Sequence, residues 1–459
     1  MPIQPVFLAT DVLIYVLLVV AVAFAFYTAR HEHLRAPWRQ VTRRPLAMAA
    51  AVVLVVYVVL GLLDSIHFRE RLPDQAQYSA EVTSVFDKLV EPLRARTEKT
   101  YSAPFALHAY SKETVEHPDG TRMREYPRLR FGGAHLDDES QRAGDIALRV
   151  VAGSLAGLLI WAIAVGGFLA LWRAKTGLTA HDLWRGRSEV PWRAILFTVG
   201  ALVLLAANIV ALAPHYHILG TDQVGQDVLL KSLKSVRTGL VIGTLTTLVM
   251  LPFAVALGLA AGYFRGWVDD VIQYTYTTLS SIPGVLLIAA AVLSLQAYMA
   301  THPDQYDNVV ARADVRLLFL CLILGVTSWT SLCRLLRGEV LKLREVDYVL
   351  AARALGSSHL AILGRHLLPN VMHILLITVV LDFSGLVLAE AVLSYVGVGV
   401  DPTMDSWGNM INSARLEMAR EPIVWWSLAS AFVFMFALVL AANLFADAVR
   451  DAFDPRLRR

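Results

Sequence analysis

Charge is scarce in this chain of 459 residues: Asp, Glu, Lys and Arg make up 17%, against 56% hydrophobic residues. That balance excludes an ordinary soluble protein, and several apolar runs exceed the ~20 residues needed to cross about 30 Å of hydrocarbon. The net charge of +3 is too small to point to nucleic acid as a partner. Cysteine is nearly absent too, with only Cys321 and Cys333. Twelve positions apart on one helix they stand roughly 18 Å apart, too far to bridge, so reduced structural thiols are expected. No Gly-Lys dipeptide occurs, hence no GxxxxGK[ST] phosphate loop, and the chain cannot supply an ATPase of that kind. HExxH, GxSxG and CxxC are missing as well, which leaves a membrane-embedded enzyme without support. His215 and His217 lack a third ligand nearby, so a structural turn is expected there and no metal site.

What is present is apolar sequence in nine runs, roughly 7–27, 46–63, 146–172, 193–213, 238–262, 272–300, 315–337, 371–400 and 424–447. Lipid offers no partners to open backbone groups, so the spans should be helices and the fold class an all-α polytopic membrane protein. Met1 to Asp11 lack a basic stretch and no small-residue cleavage pattern follows, so the first run is expected to be a retained span. Positive charge sets orientation. Arg30, Arg35, Arg39, Arg43 and Arg44 follow span one; Arg173, Lys175, Arg185 and Arg187 follow span three; Arg450, Arg456, Arg458 and Arg459 close the chain. All three clusters are cytoplasmic if the N-terminus is extracytoplasmic and the C-terminus cytoplasmic. Lys231, Lys234 and Arg237 are the exception.

One sizeable polar region, Asp64–Asp145, then lies outside the cytoplasm. Val82, Val85, Phe86, Leu89, Val90 and Leu93 in it keep helical spacing, which Pro92 should kink or end. Two strand-like runs flank the turn "HPDG". A small α/β module is expected, as a folded spacer or a docking surface for an external partner. Inside the spans, Pro283-Gly284 should break its helix and free carbonyls that a water-filled pathway or a packing kink would satisfy. Asp382 and Glu390 share about one helix face, and acids in mid-membrane usually face a cavity or a partner.

The stretch "DYVLAARALGSSHLAILGRHLLPN", Asp347–Asn370, is basic, small-residue-rich and set between spans. Tyr348 to Leu355 is alanine-rich and helix-forming, and Gly356 supplies a left-handed C′ position. Ser357 or Ser358 can cap a second helix, and Pro369 should break the chain before the next span. Such an elbow suits docking into a groove of another protein, since Ala351 and Ala352 let backbones approach closely. An amphipathic interfacial loop is the alternative.

This stretch resembles the EAA loop of permease subunits in binding-protein-dependent ABC importers: two alanines, Gly356 four residues on, then Leu368-Pro369. Leu350 stands where that pattern has glutamate, and His366 where it often has isoleucine. "HILGTDQVGQDV" (with Gln226 for the usual arginine), "AGYFRGWVDD", "SIPGVLL", "EAVLSYVGVGVDPTMDSWGNM" and "ADAVRDAFDPRLRR" resemble further blocks, in order, of the dipeptide/oligopeptide/nickel branch. The resemblance covers residues 193–459. It implies a six-helix permease core after three added spans and the module, dividing the chain at 1–63, 64–145, 146–192 and 193–459. It also implies a multi-pass inner-membrane subunit that is not itself an enzyme and binds no cofactor, with ATP and Mg on separate ABC ATPase subunits. Those would dock on Asp347, Tyr348, Ala351, Ala352, Arg353, Gly356, Ser357, Leu368 and Pro369. The other implied partners are a second permease subunit, an extracytoplasmic solute-binding protein and membrane lipid. A secondary transporter or channel working alone would predict an internal repeat, and no convincing one is found.

Overall fold

Long apolar runs of Leu, Val and Ala have one stable form in hydrocarbon, and the computed structural model is helical along most of their length. It describes residues 3–71, 78–116, 122–176, 189–302 and 308–453. Eight helices there are long and apolar enough to cross a membrane, so the chain is a multi-pass membrane protein. They include Ala9–Arg30, Pro45–Asp64, Trp192–Leu212 and Val228–Phe264. The expected span 315–337 lies within the helix Val309–Leu343, which is not one of the eight. That helix carries Arg312, Asp314, Arg316, Arg334 and Arg337, leaving 317–333 uncharged, about 25 Å at 1.5 Å per residue. Leu317, Leu320, Cys321, Leu324, Leu332 and Cys333 are buried along it, and both cysteines are free thiols.

The chain forms two compact units. The first draws on the segment through Val6, Arg39–Thr238 and Asp405–Ala441. The second draws on Phe7–Trp38, Gly239–Met404 and the segment from Ala442. Each therefore mixes the added N-terminal segment with the core.

In the first unit, small residues bring an added helix onto the core. Gly153 and Gly157 lie four apart on the helix Arg142–Thr176, against Ala207 and Ala211 of Trp192–Leu212. A Cβ on Gly157 would lie 3.0 Å from the Ala207 Cβ, and one on Gly153 2.9 Å from Asn208 Oδ1. This is small-xxx-small packing, which association in lipid relies on because apolar burial drives nothing there. Trp161 Nε1 donates to the Leu196 carbonyl at 2.9 Å, and Asn208 Nδ2 to Ser154 Oγ at 3.1 Å.

The polar module belongs to the same unit. Its sheet recruits residues ahead of the first span: strand Ile3–Val6 pairs antiparallel with His67–Glu70, which pairs with Thr83–Ser84. The expected helix appears as two short ones, Val85–Leu89 and Glu91–Arg94. Val90 breaks them, and Pro92 sits in the first turn of the second, where its missing N–H costs nothing. The strands Glu113–Glu116 and Arg122–Glu125 pair as expected; the turn residues 117–121 lie outside the described residues. Leu107, Leu136, Leu212 and Tyr216 close one apolar cluster of module and core.

In the second unit the added helix Ala9–Arg30 packs against Val309–Leu343. The Thr10 amide donates to Asp314 Oδ2 at 3.2 Å, and its hydroxyl donates to Oδ1 of the same carboxylate. Gly258 and Gly262 on Val228–Phe264 form a second close seam. Added Cβ atoms there would lie 2.8 Å from the Leu336 Cβ and 2.6 Å from the Val340 Cβ.

Candidate functional site

The elbow folds for local reasons. The helix Asp347–Ala354 ends as expected at Gly356, with φ at +77°. The Gly356 amide donates to the Arg353 carbonyl and the Ser357 amide to that of Ala352, both at 3.1 Å. These two bonds are a Schellman cap, which satisfies carbonyls the helix leaves open. Ser358, rather than Ser357, caps the second limb: its Oγ accepts the Ala361 amide at 3.3 Å. Pro369 does not break the chain. His359–Ile362 runs through a π-helical turn, Leu363–Leu367, into the helix Leu368–Tyr395, whose first turn holds Pro369. A wider turn just before it accommodates the ring and the missing donor.

Val349, Ala352, Ile362 and Leu367 face inward, in one cluster with Leu336, Val340, Tyr263 and Tyr276. The tip points the other way: Leu355 is 86% exposed and Leu360 81%. Asp347, Tyr348, Ala351, Arg353, Gly356, Ser357 and Pro369 are exposed and Leu368 partly so, while Ala352 is an anchor. Two contacts had no local signal in the sequence. Tyr263 Oη lies 2.9 Å from His359 Nδ1, and Arg344 Nη1 donates to the Tyr263 carbonyl at 2.7 Å. Beside them Arg337 holds Asp269 with two hydrogen bonds, 2.6 and 2.7 Å.

The intramembrane candidates separate. Pro283-Gly284 does break its run, into Trp267–Ser281 and Gly284–Thr301. The residues around the break, Ser280 to Leu286, are exposed. Glu390 is buried and accepts the Ser394 hydroxyl at 2.7 Å. Asp382 is half-buried and, among the described residues, makes no hydrogen bond or ion pair. The two acids are thus in different surroundings despite their spacing.

The histidine loop serves the module. His217 is buried, with Nδ1 2.8 Å from Asp227 Oδ2 and Nε2 3.4 Å from Glu98 Oε1. Burial works against its charge, but the two carboxylates outweigh it and push its pKa up to about 9. Burial likewise opposes the Glu98 charge. His217 and the amides of Phe131, Arg130 and Gly132 override that and hold it at about 2. The Asp227 Oδ1 also accepts the amides of Leu229 and Leu230, capping Val228–Phe264. Among the described residues no group of three or more His, Cys, Asp or Glu is arranged for a metal. The basic exceptions are partnered: Lys231 pairs with Asp222, and Lys234 Nζ lies 2.9 Å from Asp87 and 3.9 Å from Asp405. A cavity of about 190 Å³ lies among Asp87, Arg94, Lys231, Lys234 and Asp405. It has room for about six waters at ~30 Å³ each, less than ligand pockets of about 300–1,000 Å³.

Many apolar spans, a broken helix and a projecting helix–glycine–helix elbow fit a multi-pass membrane transport subunit. The model of the binding-protein-dependent transport system inner membrane component family matches residues 254–459. The glutathione transport system permease protein GsiD of Pectobacterium atrosepticum is 30% identical, over 62% of this chain and 99% of its own length. The oligopeptide permease protein OppC of Mycobacterium tuberculosis is 30% identical over 58% of this chain and 91% of its own. For the dipeptide permease protein DppC of Bacillus subtilis the figures are 28%, 53% and 70%. The chain belongs to this family of inner-membrane transport components, and its role is that of a permease subunit. Even the longest of these matches leaves more than a third of the chain outside it.

Proposed function

We propose that this chain is one transmembrane half of an ABC importer for peptides or similar small solutes, driven by separate ATPase subunits that dock on the elbow. The observation that carries this is the elbow's construction: four anchored apolar residues, a fixed Gly356 turn, and Leu355 and Leu360 bare at the tip. Apolar side chains so exposed on an ordered, capped turn are suited to a groove in a partner. ATP and Mg bind on those partners, a second permease subunit completes the pathway, and an extracytoplasmic binding protein delivers the solute. The N-terminus and the 64–145 module face that side, and the elbow and C-terminus face the cytoplasm. The Pro283-Gly284 break and Asp382 line the pathway, while Glu390 is a packing residue. The added segment braces the core, supported by the Gly153/Gly157 seam and the ties of Glu98 to His217, Asp87 to Lys234 and Thr10 to Asp314. The test is extraction in mild detergent with identification of copurifying proteins, for the wild type and for Leu355→Asp with Leu360→Asp. The wild type should bring ATPase subunits with it and the double variant should lose them; a wild-type chain that moves solute without any ATPase overturns the reading.

A further inference from the structure

One residue holds the elbow from either side, through the cap of the helix that leads into it and through its second limb. Tyr263 closes the helix Val228–Phe264, and the last carbonyls of a helix have no partner within it. Arg344, just ahead of the first limb, donates to the Tyr263 carbonyl at 2.7 Å, a favourable place for a cation. His359 opens the second limb, with Nδ1 2.9 Å from the Tyr263 hydroxyl. Its ring stands edge-on to Tyr263 and to Phe264, each at 5.6 Å between centroids. Tyr263 itself is buried. Immediately before it, Gly262 lies against Val340 and the Arg337 carbonyl so closely that no Cβ fits. The point of attachment therefore cannot slide along Val309–Leu343.

We propose that Tyr263 is a positioning residue, the pivot that passes displacement of the elbow to the helix it terminates. This rests on the elbow being the ATPase contact. A lever moves its load only if it is held at a fixed point. Gly356 and the π turn Leu363–Leu367 are the elbow's two joints, where its backbone leaves regular α-helix. With Arg344 at the entry to the elbow and His359 in its second limb both tied to Tyr263, a push on the tip must turn the helix; with one tie cut, the joints can absorb it. Coupling between sites is reciprocal, so a signal from the binding protein to the ATPases crosses the same pivot. The expected signature of a damaged pivot is lost coupling with retained assembly.

Tyr263→Phe tests this, because it removes one oxygen, keeps the ring and leaves the exposed tip untouched. The assay uses the intact complex in lipid vesicles, with ATPase activity measured with and without its binding protein, loaded from a mixture of tryptic peptides. The stimulation ratio should fall about three- to ten-fold, the weight of one hydrogen bond, with the ATPase subunits still bound. His359→Asn, whose amide reaches about where Nδ1 stands, should keep most of the ratio, and His359→Leu should lose it. An unchanged ratio in Tyr263→Phe overturns the pivot. Release of the ATPase subunits by that variant overturns it too, since Tyr263 would then be shaping the docking surface. Failure of the elbow reading looks different: Leu355→Asp with Leu360→Asp would leave the ATPase subunits bound.

Discussion

Gly356 offers the cleanest perturbation of the elbow, because space and conformation separate there. A Cβ added to it would meet nothing within 4 Å, yet its φ is +77°. Any penalty for a larger residue is therefore backbone handedness alone, about 1–2 kcal/mol for an L-residue. Asn tolerates this region and should cost little; Ala should cost about the full amount; Val, β-branched, should cost more. A penalty of 1–2 kcal/mol changes the population of the native turn by about 5–30-fold. The competing turn forfeits the bonds from Gly356 to Arg353 and from Ser357 to Ala352. That moves Leu355 and changes the exposed surface proposed above as the ATPase contact. Transport and ATP hydrolysis in reconstituted vesicles, with expression and melting temperature as controls, should therefore rank Gly, Asn, Ala, Val in falling order of coupling. A well-folded Gly356→Val variant with wild-type coupling would refute the reasoning.

Three further outcomes are expected. In a background lacking Cys321 and Cys333, Ser111→Cys, exposed on the module, should react with an impermeant thiol reagent in spheroplasts; labelling only after permeabilisation would reverse the orientation. The His217 contribution to stability is complete below its ordinary pKa of 6.5 and is lost as pH rises through about 9, and the Glu98 contribution, complete above 4.5, is lost as pH falls through about 2. The melting temperature of the detergent-solubilised protein should accordingly peak between those ordinary values, and a His217→Gln variant should lose the fall on the alkaline side; an identical alkaline limb in both would remove His217 as its cause. Gly157→Leu should force apart the helices Arg142–Thr176 and Trp192–Leu212 and destabilise by about 1–3 kcal/mol, as overpacking does, while Gly166→Leu, whose Cβ meets nothing within 4 Å, should be silent; equal melting temperatures for the two would place no close seam at Gly157.

Much of this was legible because it is local. Apolar length gave the spans, and the Ala-rich limb, the left-handed Gly356 and a serine cap gave the elbow, each decided within a few residues. The failures are non-local or depend on context. Nothing near Ile3 announces that it will pair with Glu70 across the first two apolar helices. His359 reads as a solvated basic residue until the fold brings Tyr263 to it from 96 positions away. Pro369 carries a break signal that a preceding π turn overrides. Asp382 and Glu390 look equivalent by spacing, and it is tertiary packing that buries Glu390, with Ser394 a turn beyond it as a donor, and leaves Asp382 half-buried.

The basic residues that break the charge pattern show how closely the added segment and the core presuppose each other. Lys231, Lys234 and Arg237 occupy the opening turns of Val228–Phe264, where a rule that counts only Lys and Arg would move that end to the cytoplasm. Each has a polar partner in the same compact unit. Lys231 takes Asp222, Lys234 takes Asp87 and lies near Asp405, and Arg237 Nε donates to Ser65 Oγ at 3.3 Å. Asp87 in turn is fixed by a capping box with Ser84, whose hydroxyl donates to Asp64 at 2.7 Å. Asp64, Ser65, Ser84 and Asp87 all come from the added segment, while Lys234 and Arg237 come from the core. The Lys234 side chain is 25% exposed and that of Asp87 6%, so the pair's worth lies between that of an exposed bridge and the about 3–5 kcal/mol lost when one partner of a fully buried pair is removed. Removing Asp87 would leave Lys234 with Asp405 at 3.9 Å, and removing Lys234 would take from Asp87 the ammonium group 2.9 Å away that offsets its burial. Added segment and core thus share these polar ties within one compact unit.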